Sequence, residues 1–158
     1  MYICWAIGHW FDVELIKYCS DKLKEIDFYL IGPINKDLGI LNDSKNVHIL
    51  GKKNYKEIPN YIYYSDVALI PFEVNELTNS VSPIKLYEYM SLGLNVVSTN
   101  LKEVKYINSP AYIADSYEKF VNYIKQAIKN KDKDKQRNIR FSKENTWNKR
   151  FEKIKELI

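Results

Sequence analysis

The sequence predicts an α/β fold, a doubly wound parallel sheet of about six strands with helices on both faces. Short apolar runs, several of them closed by glycine, alternate with amphipathic segments about six times, and this alternation is typical of parallel strands joined by crossover helices. The chain has 158 residues without an internal repeat or a low-complexity segment. We therefore expect a single domain over residues 1–158.

In the first half of the chain, apolar runs bounded by turn residues indicate four strands, at 2–7, 28–31, 47–50 and 66–71. An apolar residue recurs every three or four positions over 11–23, which predicts the first helix. The segment 35–45 predicts a short helix or an ordered loop. The segment 55–64 predicts a helix that begins near Pro59, because proline is tolerated only at the start of a helix.

The second half continues with a loop at 72–81, a helix from Ser82 to Gly93, strands at 95–98 and Tyr112–Ala114, and a helix from Tyr117 to Ile128. The Lys- and Asp-rich residues 130–138 are expected to be solvent-exposed. The apolar residues beyond them predict a closing pair of helices: Phe141, Trp147, Phe151, Ile154 and Leu157.

The net charge of +4 is unevenly distributed along the chain. Residues 117–158 contain 13 Lys or Arg against 6 Asp or Glu, whereas residues 1–116 contain 11 against 14. Solvated faces of amphipathic helices are the main interpretation, and peripheral contact with an anionic membrane surface or an acidic partner is the alternative. No zinc-ligand spacing, RNA-binding signature or helix-turn-helix pattern accompanies the charge, so nucleic acid is not an expected partner.

The sequence also predicts where the protein works. No apolar run approaches the roughly 18 residues of a membrane span, and the first residues lack the features of a signal peptide. Cys4 and Cys19 have no metal-ligand spacing and are expected to be reduced. These features indicate a cytoplasmic protein, with the inner face of the membrane as the place of any peripheral contact.

The helix from Ser82 to Gly93 carries the strongest functional pattern. Ser82 suits an N-cap, the following proline suits the first helical position, and Gly93 suits a left-handed helix end. Ser82, Lys85 and Glu88 recur every three residues and form a polar stripe on an otherwise apolar helix. Because the helix lies between two predicted strands, its start is placed where doubly wound folds bind phosphates.

Each residue of the stripe has two interpretations. Lys85 stands near the positive end of the helix dipole, a conflict that a bound anion would relieve, or it pairs with Glu88 three residues later. Glu88 is within reach of a ribose hydroxyl if a phosphate occupies the helix start. Capping alone is sufficient to explain Ser82, and the alternative is that its hydroxyl and the following amides bind a phosphate at the same time.

Other candidates follow the ends of predicted strands. Gly8 and His9 come after the first strand, where His9 can donate to a phosphate or remain a loop residue without function. Gly51 and Lys52 come after the third, where Lys52 is suited to phosphate or base contact, or to plain solvation. No metal-ligand cluster is expected.

Five segments in order resemble a known family: Leu30–Pro33, Asn46–Gly51, Asp66–Phe72, the Ser82-Pro83-x-Lys85-Leu86-x-Glu88-Tyr89 motif, and Gly93-x-x-Val96-Val97. Together they resemble the donor-binding C-terminal half of retaining, group-1-like glycosyltransferases that use nucleotide sugars. These enzymes have the GT-B fold, two Rossmann-like domains that face each other across a cleft. The likeness extends over almost the whole chain.

The resemblance implies roles for particular residues. It places the ribose on Glu88, the diphosphate on the backbone from Val81 through Ser82 and Pro83 to Ile84, and the base beside the loop from Gly51 through Lys52 to Lys53. Ser80 stands where many members carry a second glutamate that contacts the sugar. An Arg and a Lys that often follow the first strand are replaced by Gly8-His9-Trp10, so Lys85, with His9, is the candidate for catalysis.

The resemblance further implies a hexosyltransferase that uses a UDP- or GDP-sugar as co-substrate, without a metal or other cofactor, to build a bacterial cell-surface polysaccharide or glycoconjugate. Enzymes of this class need an N-terminal acceptor domain, which is expected to be absent from this chain, so the chain alone should bind donor and transfer nothing. A non-catalytic nucleotide-sugar binding module and a fragment of a sugar-nucleotide epimerase are the alternatives.

Overall fold

A computed structural model describes residues 2–156, with the backbone alone for residues 2–6 and for Lys153. Within these residues, six parallel strands form one sheet in the order β3-β2-β1-β4-β5-β6. The strands are β1 (Tyr2–Ile7), β2 (Phe28–Ile34), β3 (Val47–Gly51), β4 (Val67–Ile70), β5 (Asn95–Thr99) and β6 (Tyr112–Ala114). The predicted doubly wound α/β class is confirmed.

The described helices are α1 (Val13–Lys22), α2 (Ile58–Tyr63), α3 (Glu76–Asn79), α4 (Ile84–Ser91), α5 (Lys102–Tyr106), α6 (Tyr117–Lys129), α7 (Lys131–Glu144) and α8 (Trp147–Lys155). Short polar side chains start several of them, because they can accept hydrogen bonds from amide groups that the helix itself leaves unpaired. Asp12 accepts from the Leu15 amide at 2.8 Å to cap α1, and Ser116 accepts from the Lys119 amide at 3.3 Å to cap α6. A 3-10 turn at Gly39–Leu41 is the short helix expected in segment 35–45.

Two hydrophobic cores lie on opposite faces of the sheet. On one face α1 and α6 contribute Leu15, Ile16, Phe120 and Ile124. On the other face α2, α4 and α5 contribute Ile58, Ile62, Leu86, Tyr89, Met90 and Val104. Burying each of these large apolar side chains contributes about 1.5–3 kcal/mol to folding, so the helices are held to both faces as the sequence predicts.

The strand order reverses at β1, and this reversal positions the candidate site. β1 pairs with β2 on one side, Tyr2 opposite Phe28, and with β4 on the other, Tyr2 opposite Val67. The chain leaves β1 toward one face of the sheet and leaves β4 toward the other, which opens a crevice at the carboxyl ends of both strands. Ligands of doubly wound folds bind at this point.

Hydrogen bonds fasten the two loops that leave β1 and β4. The Asp12 amide donates to the Pro71 carbonyl and the Glu73 amide donates to the Trp10 carbonyl, both at 2.8 Å. Phe11 and Phe72 form an antiparallel bridge between these contacts. The floor of the crevice is thereby a short two-stranded ladder rather than two independent loops.

Three predictions of secondary structure were wrong: the end of one strand, and two short helices that were not expected. β2 continues through Gly32 and Pro33 to Ile34 instead of ending at the glycine, because Gly32 adopts a φ of 135° that lets the strand bend and continue. The expected loop at 72–81 contains α3, which begins at Asn75 with a reciprocal capping arrangement to Thr78. The helix α5 at 102–106 was not predicted.

The expectation that residues 130–138 are solvent-exposed was also wrong for two of them. Asp134 is buried and accepts a hydrogen bond from the Tyr112 hydroxyl at 2.8 Å. Asn138 is fully buried and donates to the Leu94 carbonyl at 2.9 Å. The stretch belongs to α7, and a polar side chain is stable at these positions because a buried partner meets it.

The remaining expectations concern the ends of the chain and its cysteines. The predicted closing pair of helices is present as α7 and α8, while Leu157 lies outside the described residues. Cys19 is a buried free thiol, as predicted, and burial raises its pKa well above the ordinary range. The prediction for Cys4 concerns a side chain outside the described part of the structure. Among residues 2–156, no helix has both the length and the apolar composition required to cross a membrane.

Candidate functional site

A pocket of about 400 Å³ lies in the crevice, between the loops after β1 and β4 and the start of α4. It is lined by Trp10, Phe72, Leu77, Thr78, Val81, Ser82, Pro83, Ile84, Lys85 and Glu88. Five of the predicted site residues are therefore brought together: Val81, Ser82, Pro83, Lys85 and Glu88. We call this the crevice pocket.

A second pocket, of about 200 Å³, lies between α2 and α4. Its lining combines Tyr55, Ile58, Pro59 and Ile62 with Glu88, Ser91 and Leu92. Glu88 thus lines both pockets. The second pocket adjoins the segment after β3, so we call it the β3-side pocket.

Lys85 and Glu88 form an ion pair in the crevice pocket, with 3.0 Å between Lys85 Nζ and Glu88 Oε2. The contact that the sequence offered as the alternative to anion binding is therefore made. The lysine and glutamate side chains are only 24% and 31% exposed, so the pair lies partly inside the pocket rather than on an open surface. Both charges remain accessible to a ligand placed there, and the pair fixes the positions of a cation and a carboxylate one helical turn apart.

Ser82 does not cap α4, which corrects the prediction. The helix begins one residue later, with Pro83 at the N-cap position and without a side-chain cap. Ser82 Oγ is buried close to the Tyr87 hydroxyl, but no hydrogen bond of ordinary geometry satisfies it among the described residues. The end of the helix follows the prediction, since Gly93 has a φ of +84°.

Gly8 shapes the crevice pocket because it lets the Trp10 ring pack closely over the backbone. A Cβ atom at Gly8 would lie 2.5 Å from Trp10 Cζ2, so the absence of a side chain lets the indole pack over the backbone at this turn. The Trp10 ring also meets Phe72 edge to face, with ring centroids 6.4 Å apart. Gly8 therefore fixes the orientation of one wall of the pocket.

Besides Gly8, four predicted site residues lie outside both pockets. His9 is exposed, and its carbonyl accepts a hydrogen bond from Lys36. Gly51 ends β3 with a φ of +63°, and Lys52 beside it is exposed. Ser80 is exposed at the end of α3 and its hydroxyl donates to the Glu76 carbonyl at 2.8 Å. Their roles stay predictions.

Lys36 organises the loops of the crevice, and the sequence analysis did not identify it. Its ammonium group donates to the Phe11 carbonyl at 2.8 Å and to the His9 carbonyl at 3.3 Å, and it forms an ion pair with the Glu73 carboxylate. It therefore links the loop after β1 to the loop after β4, a contact 37 residues apart in sequence. Local sequence patterns do not reveal such a partner.

The other unpredicted residues of the crevice pocket are apolar or aromatic. Trp10 and Phe72 each follow within three residues of a strand end, a position that could have identified them, whereas Leu77 is presented by the unpredicted helix α3. In the part of the chain that the structure describes, no group of three His, Cys, Asp or Glu side chains is arranged to hold a metal ion. The expectation of a metal-free site stays a prediction.

Comparison with known proteins identifies a family and a relative. The family model for "Glycosyl transferases group 1" matches residues 33–145, more than half of the chain. A protein of Bacillus subtilis (strain 168), named "Putative teichuronic acid biosynthesis glycosyltransferase TuaH", is 29% identical over 103 residues, which cover 63% of this chain and 26% of that protein. The matching region thus spans about a quarter of that relative's length.

Proposed function

The chain belongs to the group 1 glycosyltransferases, and on that premise we propose that it is the donor-binding domain of an enzyme that uses a nucleotide sugar. The acceptor that we propose is a bacterial cell-surface polysaccharide or glycoconjugate, and the sugar transferred is a hexose. The similarity to a protein named for teichuronic acid biosynthesis supports a polymer of this kind. A separate acceptor-binding domain would face the crevice.

The observation that carries the proposal is the position of Glu88 at the junction of the two pockets, with Lys85 beside it. A nucleoside diphosphate that extends from the crevice pocket past Glu88 into the β3-side pocket would place its phosphates at the start of α4. Its ribose hydroxyls would then lie at the Glu88 carboxylate and its base toward Tyr55. The start of a helix attracts anions because its amide dipoles point there. Lys85 adds a full positive charge at the same end.

The same groups suit the chemistry of glycosyl transfer. The bond from C1 of the sugar to the diphosphate breaks, and its electron pair leaves on a phosphate oxygen. The acceptor hydroxyl oxygen forms the new bond to C1 and its proton is released. Negative charge that develops on the diphosphate is stabilised by Lys85 and the N-terminus of α4, an electrostatic contribution that needs no metal ion.

The proposal predicts that binding depends on Lys85. We expect Lys85→Ala to weaken the tightest of UDP, GDP and ADP by about 10- to 100-fold, because a charge-assisted hydrogen bond contributes about 1.5–3 kcal/mol. Titration calorimetry on the 158-residue chain measures this effect. Lys24→Ala is the matched control. Lys24 pairs with Asp21 at the same i, i+3 spacing, with 2.8 Å between Lys24 Nζ and Asp21 Oδ1, but it lines neither pocket.

Glu88→Gln tests the ribose contact in the same titrations. Wild-type protein should prefer the ribonucleotide over its 2′-deoxy counterpart, and the variant should lose most of this preference, because a neutral amide accepts hydroxyl hydrogen bonds less strongly than a carboxylate. If the tightest nucleotide is indifferent to both Lys85→Ala and Glu88→Gln, the assigned site is wrong.

Turnover distinguishes the proposed enzyme from a non-catalytic binding module. The full-length product of the gene should transfer sugar from donor to acceptor, while the chain studied in isolation should bind donor without transfer. Absence of turnover by a two-domain protein would favour the binding module. Interconversion of the free sugar nucleotide without an acceptor would identify an epimerase instead.

A further inference from the structure

The walls of the crevice pocket are mainly apolar. Six of its ten lining residues, Trp10, Phe72, Leu77, Val81, Pro83 and Ile84, have apolar side chains. Leu77 and Val81 are 64% and 49% exposed, so they present this surface to whatever enters the crevice. Exposed apolar surface beside a binding site is usually covered by the ligand or partner that the site serves.

Three of the four polar side chains that line the same pocket, Thr78, Lys85 and Glu88, have partners, and the fourth, Ser82, has its hydroxyl oxygen buried away from the pocket surface. Thr78 Oγ1 donates to the Glu73 carbonyl at 2.6 Å and accepts from the Asn75 amide at 3.0 Å. Glu88 pairs with Lys85, and Glu73, which borders the pocket floor, pairs with Lys36. Apart from the Lys85 and Glu88 pair assigned to the nucleotide, the pocket offers few hydrogen-bond partners for the hydroxyl groups of a sugar.

Desolvation decides which sugar fits such a surface. A hydroxyl group that is buried without a hydrogen-bond partner weakens binding, whereas a methyl group that moves from water to an apolar surface strengthens it. The wall formed by Trp10, Leu77 and Val81 therefore penalises a fully hydroxylated hexose and favours one that carries a methyl group.

We propose that the donor sugar bears a methyl group, as a 6-deoxyhexose or an N-acetylhexosamine, and that this methyl group packs against Trp10, Leu77 and Val81. The proposal rests on the proposed function, because it assumes that the diphosphate lies at the start of α4 and thus directs the sugar into the crevice pocket. The apolar wall would thereby select which donor sugar binds.

Matched donor pairs on one nucleotide test the proposal by calorimetry. UDP-N-acetylglucosamine is compared with UDP-glucose, and GDP-6-deoxymannose with GDP-mannose, so that the two sources of a methyl group are examined separately. We expect the methyl-bearing donor to bind at least fivefold more tightly in one of the pairs. Equal affinities in both pairs would overturn the proposal.

Two substitutions locate the preference. Leu77→Ser and Val81→Ser should each remove most of it, and Leu77→Ser should leave the affinity for the free nucleoside diphosphate within twofold. Both side chains are exposed, so the variants should fold, and circular dichroism checks this. Val74→Ser is the control, because Val74 is 52% exposed on the same loop but does not line the crevice pocket.

The outcomes separate this proposal from the one on which it rests. A preference that survives Leu77→Ser and Val81→Ser overturns the assignment of the wall, even if the nucleotide site is intact. Failure to bind any free nucleoside diphosphate removes the nucleotide site, and the sugar assignment with it.

Discussion

At the scale of single residues, Lys36 is the clearest case of a side chain that acts through others. It touches no proposed ligand, but its three contacts fasten the loops that carry Trp10 and Phe72. The side chain is 26% exposed, and its charge is satisfied by two carbonyls and a carboxylate. We assign it to positioning the crevice.

We expect Lys36→Met to destabilise the protein by about 1–2 kcal/mol, because two carbonyls and Glu73 lose a charged donor. Amide hydrogen exchange should accelerate locally at Asp12 and Glu73, whose amides form the ladder between the two loops. Lys45→Met, at an exposed position, is the control and should change neither quantity. Exchange that stays as slow as in the wild type would mean that the ladder holds without the lysine.

Tyr117 makes a second long-range contact, in which its hydroxyl donates to both oxygens of Asp12 at 3.0 Å. Burial and this hydrogen bond raise the pKa of Tyr117 well above its ordinary range. A raised pKa means that the fold favours the protonated phenol, so this stabilisation is complete below the unfolded pKa of about 10 and is lost as pH rises above it.

We therefore expect Tyr117→Phe to lower the free energy of unfolding by about 1–2 kcal/mol between pH 6 and 9. The difference from wild type should shrink above pH 10, because Tyr117 then ionises in the unfolded wild-type chain and favours unfolding, whereas the variant has no phenol to ionise. Urea unfolding at several pH values measures both effects. Tyr106→Phe, at an exposed position, serves as the control, and a difference that stays constant through pH 11 would contradict the assignment.

At the scale of elements, α7 is held to the sheet by buried amides as well as by apolar contacts. Asn138 Nδ2 donates to the Leu94 carbonyl at 2.9 Å and to Asn95 Oδ1 at 2.7 Å, and Asn95 Nδ2 donates to the Ala127 carbonyl at 2.8 Å. The series links α7, β5 and α6. Removing one member leaves the others buried without partners.

We expect Asn138→Leu to destabilise the protein by about 2–4 kcal/mol, since two buried acceptors lose their donor and the new side chain does not replace it. Gln136→Leu changes an exposed amide in the same helix and should stay within about 0.5 kcal/mol of wild type. Thermal or urea unfolding of the two variants provides the comparison. If Asn138→Leu is as stable as Gln136→Leu, the buried amides contribute nothing beyond packing.

The elements also show which patterns were readable in the sequence. Long runs with a clear period, such as α6 and the buried strand β4, were found because their apolar positions match one face of a helix or a continuous core strand. The short helices α3 and α5 were missed, since four or five residues contain too few positions for a period to emerge. Asn75 followed by Thr78 was a readable capping signal for α3.

At the scale of the whole molecule, the sequence predicted site residues that one element presents. It did not predict residues that come together only when loops from different strands meet. Lys85 and Glu88 were found because one helix presents them, and a helix has a known period. Trp10 and Lys36 were missed because their roles depend on loops from different strands that meet only in the folded sheet. Tertiary partners of this kind leave no local pattern.

The basic C-terminal part also belongs to this scale. Trp147 and Phe151 on α8 are 73% and 57% exposed, on a helix that also carries Lys149 and Lys155. Arg150 anchors the helix by lying over the Tyr87 ring, 4.7 Å from its centroid. Peripheral membrane contact stays a prediction, as does cytoplasmic location.

The central position of β1 bears on how the chain is made. Of the six strands of this sheet β1 is synthesised first, yet one of its neighbours, β4, follows some sixty residues later, with Tyr2 opposite Val67. A nascent chain that has emerged only as far as β3 therefore carries β1 with an open edge, which is the kind of edge that templates aggregation. The ribosome-bound intermediate, rather than the finished domain, should then be the form that depends most on chaperones, and slower translation before β4 should lower the yield of folded protein.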